Sequence, residues 1–121
     1  MWVFLNDAFL SIVAPDSRHP KYDETKDVLI VRARKKEDIN RVFPDATVEE
    51  SRGRDYRYRA VINRVEVAQM MFNRVMDNNA TNFKNTVHED DRHDAYANVW
   101  EVMHNYQNNL STEVYSSITR K

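Results

Sequence analysis

The sequence predicts an α+β fold: a mainly antiparallel sheet of four to five strands covered by helices. Three observations carry that expectation. Apolar and polar residues alternate with period two in short runs before residue 63. After it, apolar residues recur at helical spacing. Turn-forming residues separate the runs throughout.

The opening MWVFLNDAFLSIVA is two apolar runs joined by Asn6 and Asp7, residue types that favour tight turns, and it predicts a β-hairpin. PDSRHPKYDETKD, residues 15–27, is polar and contains two of the three prolines, so it predicts the longest loop. VLIVRAR (28–34) predicts a strand with Leu29, Val31 and Ala33 on one face. Its other face begins with Val28 and Ile30 and ends with Arg32 and Arg34. KKEDINRVFP predicts a short helix that places Ile39, Val42 and Phe43 on one side and stops at Pro44.

ATVEES (46–51) is a weaker strand, followed by RGRD with the only glycine, Gly53, at a position suited to a left-handed turn. YRYRAVI (56–62) alternates, with Tyr56, Tyr58, Ala60 and Ile62 opposite Arg57, Arg59 and Val61. Asn63 and Glu66 have the spacing of a capping box. They start a helix through Asp77 that is expected to bury Val67, Ala68, Met71, Phe72, Val75 and Met76. NNATNFKN (78–85) breaks it, with Phe83 as an anchor onto the core. A final helix begins near Asp91 and buries Tyr96, Val99, Trp100 and Met103, while Trp2 plugs a sheet edge. The central β–α–β–β–α order suggests a split βαβ core related to ferredoxin-like folds, its missing strand supplied by the N-terminal hairpin. Residues 1–108 are expected to form one domain and 109–121 a polar tail.

The composition, 41% hydrophobic and 31% charged, is that of an ordered globular chain. No apolar run reaches the roughly 20 residues that cross a bilayer, so no membrane partner is expected. MWVFL lacks the basic leader of a signal peptide, and the absence of cysteine fits a cytoplasmic location. It also excludes thiolate catalysis and zinc–thiolate sites. The net charge of -1 conceals a split: residues 32–64 are net +4 and residues 65–110 net -4. Such a split gives two surfaces of opposite sign, or a self-complementary homodimer in which the basic 32–64 surface meets the acidic 88–94 region of its mate. It does not resemble a generally basic nucleic-acid binder.

WVFLNDAFLSIV, LIVRAR, DINRVFP, YRYRAVI, NFKNTV and HDAYANVW together resemble a family of small, uncharacterised proteins of bacteria and their phages. Phe4, Asn6, Phe9, Arg32, Arg34, Phe43, Pro44, Tyr58, Arg59, Asn82, Phe83, Lys84, His93, Tyr96 and Trp100 carry the resemblance over roughly residues 1–103. The loop 15–27 is longer than that pattern usually has. The resemblance implies a compact fold and brings no activity with it. A phage setting would suit an inhibitor that binds a host protein.

Three groups of residues are candidate sites. HEDDRHD (88–94) concentrates two imidazoles and four carboxylates. Asp91 as a helix cap and Asp94 near the first-turn amides account for two of the acids, leaving Glu89 and Asp90 as a solvated recognition surface. A zinc or manganese site would need His88 and His93 to converge with Asp91 or its neighbours. Their spacing of five is not the i, i+4 pattern of a helical His pair. A metal-dependent nuclease or phosphodiesterase there is the third reading, and no cofactor is expected.

The second group is Arg32, Arg34, Arg57 and Arg59, which form one positive patch if their strands are neighbours, with Lys35, Lys36, Arg52 and Arg54 at its rim. Lys84 is the third, directed outward to an acidic partner. The function expected is a non-enzymatic protein-interaction module with one protein partner. A nucleic-acid-binding regulator that uses the basic sheet face is the alternative.

Overall fold

The computed structural model describes the backbone of residues 1–119 and the side chains of residues 1–110. The chain divides into two compact units, Met1–Thr81 and Asn82–Lys121. The first holds β1 (Trp2–Phe4), β2 (Phe9–Val13), β3 (Val28–Ala33), α1 (Lys36–Val42), β4 (Glu49–Glu50), β5 (Tyr58–Asn63) and α2 (Arg64–Met76). The second holds a 3-10 helix (Phe83–Thr86) and α3 (Asp90–Thr119). The class is α+β, with a five-stranded antiparallel sheet in the order β1-β2-β3-β5-β4.

β5 lies between β3 and β4, the two strands that α1 connects. The place on the other side of β3 is filled by β2, which precedes it in sequence, and α2 is followed by the 3-10 helix.

The N-terminal hairpin closes through a Leu5 N–H to Ala8 carbonyl bond of 2.8 Å, with Asn6 and Asp7 at the turn's centre. Two ties fix this turn. Arg74 of α2 makes a two-pronged ion pair with the Asp7 carboxylate, at 2.9 and 3.1 Å, and Arg41 of α1 donates to the Asp7 carbonyl. Beside it, the buried Asp38 carboxylate accepts the Phe9 N–H at 3.0 Å. A buried acid on α1 is thus explained as a cap for a strand amide.

One sheet face and the two helices α1 and α2 enclose the core. Leu10 and Ile12, Val31 and Ala33, and Ala60 and Ile62 come from adjacent strands. Ile39 of α1, Phe43 just after its end, and Val67 and Met70 of α2 pack onto them. Period-two patterning supplies the strand contributions and i, i+4 spacing those of α1. Gly53 has φ +83°, the left-handed turn position that its sequence context suggested.

Several expectations change. Asn63 is the residue before the first turn of α2, but its side chain makes no cap bond. Arg64 N–H donates instead to the Asp27 carbonyl at 3.0 Å, and its side chain reaches Asp27 Oδ1 at 2.7 Å, so the loop before β3 does the capping. α2 buries Val67 and Met70, with Met71 partly covered; Ala68, Phe72, Val75 and Met76 are exposed. Its apolar residues occupy two faces, and the sheet selects the one centred on 67 and 70. Trp2 is exposed on the edge strand.

In the second unit, Tyr96 is buried and stacks on Phe83, centroids 5.9 Å apart, but Val99, Trp100 and Met103 are exposed. Of the expected core stripe of this helix, Tyr96 alone is buried. Residues 109–119, set apart in the sequence as a polar tail, lie within α3, and 120–121 fall outside the described residues. No described helix is long and apolar enough to cross a membrane.

Candidate functional site

Strand register assembles the basic patch on the sheet face opposite α1 and α2. The pairings run Trp2↔Ser11, Ser11↔Arg32, Arg32↔Arg59 and Arg59↔Glu49. One row of side chains therefore crosses all five strands, with two arginines side by side at its middle. Like charges directly opposite each other on antiparallel strands are unfavourable, so their juxtaposition needs an explanation.

Arg32 has a partial one. Its Nη2 donates to the buried Ser11 hydroxyl at 2.7 Å, and its guanidinium lies 4.7 Å from the Tyr56 ring centroid. Arg34 lies over the same ring at 4.4 Å and donates to the Asp55 carbonyl at 2.9 Å. Tyr56 precedes β5, in the irregular segment after Gly53, so the alternation expected for 56–62 does not apply to it. It does not face away from the arginines: its buried ring is their floor. Only ladder-paired residues obey strand alternation, and pairing begins at Tyr58.

The Arg59 side chain has neither hydrogen bond nor ion pair among the described residues. Its Nε, like that of Arg32, is shut off from water with no acceptor. Burial lowers its pKa, and the nearby positive charges of Arg54 and Arg32 lower it further, against a smaller opposing effect of Glu49. The guanidinium stays charged across the working pH range. The site is thus a cationic centre short of an acceptor.

Arg57, expected in the same patch, is turned to the sheet edge. Its Nη2 pairs with Glu50 Oε1 at 2.8 Å, and Arg52 reaches the same oxygen at 3.3 Å. Hydrogen bonds from Arg57 and then Arg52 hold the Glu50 carboxyl below its usual range, while Glu50 raises the pKa of Arg57. A hollow of about 250 Å³ at this turn is lined by Arg52, Gly53, Arg54 and Arg57. The grouping that register makes is Arg32 with Arg59, flanked by Arg34 and Arg54; Arg57 is separated from it by its own carboxylate.

Around the two central arginines the same face is largely apolar. Phe4 and Phe9, an opposed pair, stack with centroids 4.7 Å apart. Val13 and Ile30 are half-buried, and Val61 and Trp2 are exposed. Cations set in an apolar field have the composition of an interface centre more than of a phosphate track.

In the second unit, the HEDDRHD residues distribute differently from expectation. α3 begins at Asp90, and the His93 N–H makes the first helical bond, to the Glu89 carbonyl at 2.8 Å. Glu89 therefore occupies the cap position expected for Asp91, whose carboxylate accepts from the adjacent Arg92 N–H at 2.8 Å. Arg92 is the buried residue of the stretch, and Glu89 Oε1 accepts from its Nε at 3.1 Å. His88, Asp90, Asp91 and His93 are exposed. Among the described residues, no three His, Asp or Glu side chains are grouped to hold a metal ion. Lys84 Nζ sits 5.2 Å from the Trp100 ring centroid, and that ring stacks on His104 at 4.9 Å.

Comparison of the chain with protein-family models, curated proteins and solved structures gives no match.

Proposed function

We propose that this protein is a binding module whose outer sheet face docks an acidic, partly apolar segment of another protein. The observation that carries the reading is the Arg32–Arg59 pair: two guanidiniums opposed on one ladder rung, neither with an ion pair among the described residues. A partner carboxylate between them would relieve the repulsion and supply charge-assisted hydrogen bonds. Ile30 and the exposed Val61 would cover the apolar residues beside that carboxylate. The Ser11 hydroxyl and the Tyr56 ring hold Arg32 in place, so less side-chain entropy is lost on binding.

Nucleic-acid recognition by the same face is the alternative. It draws on the same cations, but the Tyr56 ring lies beneath them and offers no surface for a base.

Selection from a displayed peptide library distinguishes the two. Wild-type protein is expected to enrich acidic residues flanked by apolar ones, and the Arg32→Ala/Arg59→Ala double variant to lose that enrichment. An identical consensus from both proteins would reject the site. Oligonucleotide binding that weakens steeply with salt and needs both arginines would transfer the function to nucleic acid.

A further inference from the structure

α3 spans 30 residues, so it is about 45 Å long. Beyond Tyr96 it leaves Val99, Trp100, Val102, Met103, Tyr106 and Leu110 exposed, with Trp100, Met103 and Tyr106 each more than half open. Their side chains present on the order of 600 Å² of apolar surface, at the upper end of what a typical monomer exposes in one patch. Adding polar flanks brings the face near the roughly 800 Å² per partner of a standard interface.

Val99, Met103, Tyr106 and Leu110 are separated by four, three and four residues, the spacing of a coiled-coil seam. That seam is self-complementary when reversed. In a two-fold antiparallel pair, Val99 of one copy meets Leu110 of the other, and Met103 meets Tyr106. All four positions are filled, two layers join a smaller to a larger side chain, and Met–Tyr layers allow sulfur–aromatic contact. Flanking positions Gln107 and Asn109 carry no charge to oppose close approach.

Charge selects the direction. Asp90, Asp91 and Asp94 are concentrated in the first turns of α3. A parallel pair would set these acids beside their copies, whereas an antiparallel pair places them at opposite ends. We infer that α3 is a self-association surface, whose partner is α3 of a second copy, antiparallel and centred between His104 and Asn105.

The chain has no cysteine, which permits placed cysteines to read the geometry. Sedimentation of the full chain over a wide concentration range is expected to show a monomer–dimer equilibrium. Under mild oxidation, mixed Val99→Cys and Leu110→Cys proteins should form the disulfide-linked heterodimer, and neither should link efficiently to itself. Met103→Glu should weaken dimerisation at least tenfold while the far-UV circular dichroism stays that of the wild type. A monomer at every concentration would overturn the inference. So would self-linking by Val99→Cys alone, or an undiminished dimer of natively folded Met103→Glu.

Discussion

Replacing Arg59 by methionine should stabilise the free protein, the reverse of what removing a partly buried residue from a central strand normally does. Arg59 faces Arg32 across the β3–β5 ladder, where opposed residues lie about 5 Å apart. Two unit charges about 6 Å apart repel by roughly 3 kcal/mol at an effective dielectric of 20. Both side chains are partly open, so solvent and salt screen that to about 1 kcal/mol, the upper range for opposed like charges. Arg59→Met also deletes an Nε that has neither water nor acceptor. The methionine stem keeps most of the packing made by the arginine methylenes. A net gain of about 1 kcal/mol follows, or roughly 3–5 °C in Tm for a chain of this size. Urea unfolding followed by circular dichroism measures it, the midpoint rising with an unchanged m-value. Arg57→Met is the control: its guanidinium is held by Glu50, so its removal should bring no gain. If Arg59→Met instead lowers stability by 1 kcal/mol or more, the two arginines are not in conflict, and the argument for a missing acidic partner fails.

Asp38→Ala should destabilise by about 2 kcal/mol, because it strands the Phe9 N–H and removes a charge-assisted bond in a buried place. Asp38→Asn should recover about half of that loss in thermal melts; equal losses would show that packing, not the hydrogen bond, matters at this position. Glu50 should titrate below the ordinary glutamate range of about pH 4. A carboxylate with a depressed folded pKa contributes stability above its unfolded pKa, and that contribution disappears as pH falls through the folded value. Carboxyl-carbon NMR of Glu50 reads the midpoint, which should move up in Arg57→Ala and, by less, in Arg52→Ala.

The strands were legible in the sequence because β-sheet alternation is a local property. Val28–Ala33 lies within its expected run and Tyr58–Asn63 overruns its own by one residue, and the charged face of each strand follows from parity. Which strands are neighbours is not local. Alternation placed arginines on two faces, but only register sets Arg32 beside Arg59 and leaves Arg57 to Glu50. Tyr56 was misplaced because parity was continued past the last paired residue. α2 was misread for a different reason: both of its faces are apolar, so spacing alone cannot say which one meets the sheet. α3 outran its expected end because the segment from Asn108, dense in Asn, Ser and Thr, was read as a polar tail, whereas helical hydrogen bonding continues through such residues. At its start, Glu89 displaced Asp91 as the cap by one hydrogen bond, a shift that no spacing rule could decide.

The two edges of the sheet are unlike, and that limits how copies of this protein can stack. β1 is three residues long and carries no charged residue. β4, at the far edge, is two residues long, and both are exposed glutamates. A second β4 laid against it would set acid against acid over the whole length of the pairing. Fibre growth by sheet extension needs a receptive edge at each end of every unit. Here any edge-to-edge joining through β1 would leave only the two-residue β4 at both outer rims of the pair, too short a template for a further strand.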